Sequence, residues 1–166
     1  MKLRNMREDD RSAVLALHIE SWQKSYRGIA PDAFLDHEAA QRLGEKWHHI
    51  ALGAEDFGLI LEDGDSVAGF AFVRKTPPQV PLLDNLHIRP GARGAGLGKL
   101  LMAGVAARLI ADGDIGMRLI VLRDNTSARH FYRRASGIEG PEFMDDFFGT
   151  DIPAHEVVWA DLSRLL

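Results

Sequence analysis

The stretch LLDNLHIRPGARGAGLGKLLMAGVAARLIA, residues 82–111, decides how this chain is read. Its first part, Leu82 to Arg89, predicts a strand, with Leu82, Asp84, Leu86 and Ile88 on one side and Leu83, Asn85 and His87 on the other. Pro90 has no N–H to donate to a ladder and should end it. Four glycines, Gly91, Gly94, Gly96 and Gly98, then fill a loop. From Leu97 the apolar residues Leu97, Leu100, Leu101, Val105 and Leu109 recur at helical spacing, and Asp112-Gly113 supplies the stop.

A strand, a glycine-rich turn and a helix start make an anion site for a physical reason. The first N–H groups of a helix have no internal partner and lie at the positive end of its dipole. Glycines let the chain curl so that several of these groups converge, with no Cβ between them and a phosphate. Arg93 and Lys99 add charge at the rim. Two familiar phosphate loops are excluded by spacing. The P-loop needs Gly, four residues, then Gly-Lys-Ser/Thr, and here Arg93 and Leu100 occupy the first glycine and the hydroxyl positions. The dinucleotide fingerprint G-x-G-x-x-G would need glycine at Lys99 or at Leu101.

Arg93-x-x-Gly96-x-Gly98 does resemble the pyrophosphate signature of the GNAT acetyltransferases, and the preceding Leu86-His87-Ile88-Arg89-Pro90 resembles that family's Leu-Tyr-Val-x-Pro. A second stretch is similar to the family's next motif: the strand around Val121-Leu122, then Asn125-Thr-Ser-Ala128-Arg-His-Phe131-Tyr132 on a short helix. Where the family commonly has glycine four residues after that tyrosine, this chain has Ser136 followed by Gly137, so the turn is expected to be one residue longer.

The resemblance implies an α/β (α+β) fold with a mixed, mostly antiparallel central sheet of about seven strands, flanked by about four helices and with splayed central strands. It implies acetyl-CoA as cosubstrate. The backbone around Leu86, His87 and Ile88 would hold the pantetheine and acetyl carbonyl, the loop Arg93-Gly94-Ala95-Gly96-Leu97-Gly98-Lys99 the pyrophosphate, and Asn125 would steady the pantetheine. Tyr132 would protonate the departing sulfur, a role suited to a phenol with an ordinary pKa of ~10. For the base that deprotonates the amine, Asp84 is the choice; the strand alternation sets His87 on the opposite face. Ser21-Trp22-Gln-Lys-Ser-Tyr26-Arg-Gly28 resembles a segment that covers the acceptor pocket in some family members, which makes Trp22 and Tyr26 substrate-binding candidates. The alternative is that Trp22, Tyr26 and Phe34 simply pack the helices onto the sheet, the reading that large aromatics favour at Trp22.

Elsewhere, Leu3 to Met6 predicts a strand, and Asp9 or Asp10 caps a helix with Val14, Leu15, His18, Ile19 and Trp22 on one face. Gly28 stops it, Pro31-Asp32 opens a second helical stretch, and Glu38 to Leu52 continues in helical register. Gly58–Glu62 and Ser66–Arg74 read as strands joined by Asp63-Gly64, the second apolar enough to be buried on both faces. A proline-rich connection follows from Lys75 to Pro81. Met117 to Leu122 is a strand, Asn125 or Thr126 caps the next helix, and Glu142–Phe148 and His155–Leu162 are strands around a loop from Gly149 to Pro153. No boundary divides the chain, so 1–166 is expected to be one domain. The resemblance alone implies an acceptor site lined by Trp22 to Phe34, Asp84 and the loop from Gly149 to Pro153.

The 20 basic and 24 acidic residues give a net charge of −4, and nothing suggests a nucleic-acid or membrane partner. Met1 to Glu8 holds no apolar run, so no signal peptide is expected and the cytoplasm is the default location. There is no cysteine, which removes disulfides, thiolate metal sites and an acyl-cysteine intermediate. The seven histidines form no recognised metal spacing, and no metal is expected. The expected function is acetyl-CoA-dependent acetylation of a primary amine of a small molecule, peptide or protein, by direct attack in a ternary complex, with a homodimer as the candidate assembly. The competing reading is an acyl-CoA-binding module without turnover.

Overall fold

A computed structural model describes residues 1–52, 55–77 and 79–166. Pro78, in the predicted proline-rich connection, lies outside the described residues. The elements run β1 (Lys2–Asn5), α1 (Arg11–Ser25), α2 (Ala39–His49), β2 (Phe57–Asp63), β3 (Ser66–Arg74), β4 (Leu82–Ile88), α3 (Leu97–Ala111), β5 (Met117–Leu122), α4 (Thr126–Arg134), β6 (Ile138–Phe147) and β7 (Thr150–Trp159). A π-helical turn, Phe34–Glu38, leads into α2, which ends at His49 rather than Leu52.

All seven strands form one sheet in the order β1-β2-β3-β4-β5-β7-β6. Every neighbouring pair is antiparallel except β4 and β5, which run parallel and meet at the single pair Leu82↔Arg118. Beyond that pair they diverge, as the mixed splayed sheet requires. β3 is buried from Val67 to Val73, so both of its faces carry core. On one face α3 packs Leu97, Leu101, Met102, Val105 and Leu109 against Leu59, Val73, Leu83, Met117 and Val157. On the other, α1 and α2 pack Val14, Leu17, Trp22, Leu43 and Trp47 against Ile60, Phe70, Phe72, Leu122 and Ala154.

Two helical stripes differ from expectation. Leu100 is exposed, while Met102 and Ala106 join the buried side of α3. On α1, Leu17 and Ser21 are buried, with Leu15 and Ile19 at the margin. Asp10 does not cap α1 with its side chain. Its carboxylate instead accepts from Arg7 N–H at 2.7 Å and from the Arg4 guanidinium at 2.6 and 2.7 Å, tying β1 to the start of the helix.

The alternation predicted for β4 breaks at Asp84. Phe72 pairs with Asn85 and Val73 with Leu83, so Asp84 is the extra residue of a β-bulge. Leu83, Leu86 and Ile88 therefore share the α3 face, and Asn85 and His87, opposite Phe72 and Phe70, share the α1/α2 face.

The C-terminal hairpin is also longer and tighter than expected. β6 and β7 register from Ile138↔Val158 to Phe147↔Thr150, so the predicted loop at Gly149–Pro153 is mostly strand. The turn is Phe148-Gly149, with φ of 54° and 86°, the left-handed pair that a two-residue hairpin of primed type demands.

The turn after α4 is not lengthened. Ser136 itself takes the left-handed position with φ 63°, and the Ser136 and Gly137 N–H groups donate to Arg133 O and Tyr132 O at 3.1 and 2.9 Å, a Schellman cap. Glycine is needed one residue later for space: a Cβ on Gly137 would lie 2.6 Å from Val157 Cγ1 and 2.7 Å from Trp159 Cζ2.

Two stability predictions follow from these contacts. A non-glycine residue in the left-handed region carries a cost of ~1–2 kcal/mol, partly offset by glycine's greater unfolded entropy. Ser136→Gly should therefore stabilise the fold by about 0.5–1 kcal/mol, read from the urea midpoint at unchanged slope. His18, 1% exposed, accepts from Trp47 Nε1 at 3.0 Å, and burial, followed by His87 and Lys46, holds its pKa well below 6.5. A histidine neutral when folded binds a proton only on unfolding. Its contribution is full above pH 6.5 and is lost as pH falls below it, at ~1.4 kcal/mol per pH unit. His18→Gln, which keeps an acceptor for Trp47, should flatten that acid limb in chemical denaturation run across pH.

Candidate active site

The divergence of β4 and β5 opens a cleft of about 620 Å³. Its walls are β4, the loop before α3 with the first turn of that helix, β5, α4 and the end of α1. Of the residues predicted from sequence, Tyr26, Asp84, Leu86, His87, Ile88, Arg93, Gly94, Gly96, Leu97, Gly98, Lys99, Asn125 and Tyr132 all line it. Ala95 and Trp22 are not on the wall. Trp22 is 6% exposed and packs behind Tyr26, ring centroids 5.4 Å apart.

The loop is built as an anion cradle. Gly96, the residue before α3, has φ 77°, a conformation that L side chains seldom adopt, and no side chain caps the helix. Space around Gly96 is open for 4 Å beyond where a Cβ would stand. The first N–H groups of α3 are thus left for a ligand, with the helix dipole behind them. Gly98 answers a different need: a Cβ there would press on Phe131 Cζ at 3.0 Å, so glycine lets α3 approach α4. Asn125 begins α4, its Oδ1 accepting from Ala128 N–H at 3.3 Å.

Arg93 does more than add charge at the rim. Its guanidinium donates to Ser25 Oγ at 2.8 Å and to Ser21 Oγ at 3.3 Å, joining the loop to α1. Ser21 Oγ lies 2.9 Å from His87 Nδ1. Sequence reasoning missed both serines; their spacing of four on the face that carries His18 and Trp22 was the available signal.

The bulge corrects the expectation that Asp84 and His87 face opposite ways. Asp84 pairs with Lys46 of α2 at 2.8 Å and accepts from Asn85 Nδ2 at 2.7 Å, so it too reaches the α1/α2 side. Burial, followed by the cations Lys46 and Arg93, pushes the His87 pKa down to about 3. A proton taken there would be a buried charge beside two others. Tyr132, 8% exposed, has its pKa raised by burial and then by Tyr26, so its hydroxyl stays protonated and is a hydrogen-bond donor in the cleft. Tyr26 is shifted up to about 12 by burial and then by Asp145.

Among the described residues no group of three or more His, Asp or Glu side chains is arranged to hold a metal ion, and no helix is long and apolar enough to cross a membrane.

The chain is similar in sequence and in fold to known acetyltransferases. Mycothiol acetyltransferase of Thermobispora bispora is 37% identical over 91 residues, a match spanning 50% of this chain and 30% of that longer protein. In structure, the PaiA N-acetyltransferase of Thermoplasma acidophilum in complex with coenzyme A superposes with a TM-score of 0.73 at 18% identity, covering 93% of this chain and 96% of that one. The ribosomal-protein-S18-alanine N-acetyltransferase of Escherichia coli does so with a TM-score of 0.69 at 17% identity, covering 95% and 91%. The model of the acetyltransferase (GNAT) family matches residues 15–138, from α1 through the cofactor loop to the first residue of β6. That match spans most of the chain, and on it the chain belongs to the GNAT acetyltransferase family.

Proposed function

We propose that the chain, acting as one domain over 1–166, transfers an acetyl group from acetyl-CoA to a primary amine. The observation that carries this reading is the convergence, on one cleft, of an uncapped helix start at Gly96, a strand edge left unpaired beyond Leu82, and the Tyr132 hydroxyl. GNAT acetyltransferases use acetyl-CoA, and the cradle around Gly96 has the chemistry to take its pyrophosphate: converging N–H groups, open space, and Arg93 and Lys99 beside them. The free edge of β4 from Leu86 to Ile88 offers amide groups to the pantetheine, and Asn125 flanks it.

With the thioester so placed, the amine nitrogen attacks the carbonyl carbon. The new N–C bond forms, the C–S bond breaks, nitrogen loses a proton and sulfur gains one. Tyr132 supplies the sulfur's proton. Its raised pKa keeps it a donor until charge develops on the leaving group. Asp84 takes the proton from nitrogen. It is the better base because His87 would have to become a cation next to Lys46 and Arg93. With no cysteine, and with His87, its pKa pushed down to about 3, too weak a base to activate the Ser21 hydroxyl beside it, attack is direct, in a ternary complex.

Two variants test the two halves of the site. Gly96→Val places a branched side chain where the phosphate must approach and in a left-handed position. Acetyl-CoA should bind at least about tenfold more weakly, ~1.4 kcal/mol, by calorimetry on folded protein. Unchanged affinity removes the phosphate-loop reading. Tyr132→Phe keeps the ring and removes only the hydroxyl, so acetyl-CoA affinity should hold while the single-turnover chemical step slows by about 10²–10⁴-fold. A chemical step at full rate would leave solvent as the proton source.

A further inference from the structure

Among the described residues, the strand β6 carries a carboxylate without a partner on the face that packs toward α1. β6 holds four acidic residues, Glu139, Glu142, Asp145 and Asp146. Glu139 pairs with Arg129 at 2.6 Å, Glu142 with Arg123 at 3.7 Å, and Asp146 Oδ1 accepts from Gly149 N–H at 2.6 Å. Among the described residues Asp145 has no hydrogen bond and no cation beside it, although it is half-buried. It also faces inward. Its register partner is Ile152, 6% exposed and part of the α1/α2 core, and Phe147, two residues along the same face, is 9% exposed in that core. Burial, then Asp146, raises its pKa, as expected of a charge lacking a counterion.

The surroundings say what would relieve it. Tyr26, Phe34, Phe147 and Phe148 gather round Trp22, with Tyr26–Phe147 centroids 5.6 Å apart and Phe34–Phe148 5.8 Å apart. Phe34 is half-buried and Phe148 is 37% exposed, so the ring cluster opens to solvent. Phe148 holds the left-handed φ of 54° that brings its ring to within 5.6 Å of Trp22, an unusual conformation for a bulky residue. Tyr26 joins this region to the cleft: it lines the cleft wall, and its ring lies against Phe147, two residues along from Asp145 on the same face of β6. A carboxylate on the same strand face as these rings, which reach the cleft through Tyr26, suits a cation on an apolar stem.

We propose that Asp145 is the acceptor-selecting carboxylate, and that the acceptor is a diamine-type molecule. One primary amine meets the thioester, and a second cationic group, on an apolar stem, is held by Asp145 among Tyr26, Phe34 and Phe147. This rests on the acetyltransferase reading and adds the class of acceptor to it.

The test measures thiol release from acetyl-CoA with matched probes: 1,6-diaminohexane against hexylamine, and p-xylylenediamine against benzylamine. Each diamine should exceed its monoamine in kcat/KM by about ten- to hundredfold, the weight of one charge-assisted hydrogen bond. Asp145→Asn and Asp145→Ser should each erase at least about tenfold of that advantage. Equal rates for both members of each pair in the unaltered protein overturn the proposal, as does an advantage that survives in both variants. An inward charge on an edge strand also discourages edge-to-edge association. If that were its whole role, Asp145→Asn would self-associate in light scattering while still preferring diamines, again overturning the proposal. Should no probe release thiol, the acetyltransferase reading fails on these amines, and calorimetry of 1,6-diaminohexane on the CoA-loaded protein decides the site separately. Binding that is lost in Asp145→Asn supports it, and no binding sinks it.

Discussion

β4 and β5 touch through one ladder pair, Leu82 with Arg118, and the rest of the site depends on how they part beyond it. Parallel strands joined through a helix normally share a run of evenly spaced bonds. Here the run stops after one pair, and backbone groups along both strands are left facing each other across a gap. Such groups are costly to bury unpaired, so a cleft of this shape is a standing demand for a polar, extended ligand. The loop before α3 answers the same demand at one end of the gap, where helical N–H groups lack partners. A long cofactor with an anionic end and an amide-bearing arm satisfies both.

The second constraint is the bulge at Asp84. Without it, His87 and Asp84 would point to opposite faces and the α1/α2 side would hold Asn85 and His87 without the carboxylate. With it, Asp84, Asn85 and His87 gather on that side, and α1 and α2 supply Ser21 and Lys46 to meet them. Placing so many polar groups beside an aromatic core is stabilised by pairing, since each has a partner within hydrogen-bond reach. Arg93 extends the same network from α1 into the loop before α3, so the loop and the α1/α2 side of the cleft share hydrogen bonds.

Much of this was legible in the sequence, for local reasons. The glycine-rich loop, the strand Met117–Leu122 and the Asn125 cap depend on neighbours within a few residues, and they stand where the pattern put them. The bulge was not legible, because it is a mismatch between β4 and β3 and neither strand shows it alone. Pro153 was misread as a loop residue for a similar reason. Its C=O accepts from Arg123 N–H at 2.8 Å, on the β5 edge just past the last pair, Leu122↔Ala154, so its missing N–H costs no ladder bond. Ser136 shows that a signature position can keep its backbone shape while losing its glycine, when a cap of two hydrogen bonds holds it. The aromatic cluster needed three separate segments, α1, the π-helical turn and the β6–β7 tip, to be seen as one object.

The single pair at the centre of the sheet has a mechanical consequence. It divides seven strands into a group of four and a group of three, and the ladder hardly resists their rotation about that point. What holds them is side-chain packing on both faces: α3 bridges Leu83 to Met117 and Val157, and the α1/α2 core bridges Phe72 to Leu122 and Ala154. The opening angle is therefore a matter of side-chain volume, set in the core well away from the chemistry. A methylene added or removed at Met117, Leu122 or Val157 acts as a wedge or a shim at the pivot of a lever, and the far ends of the strands amplify it. In such a sheet the reach of the cleft is tuned from the inside, by residues that never touch what it holds.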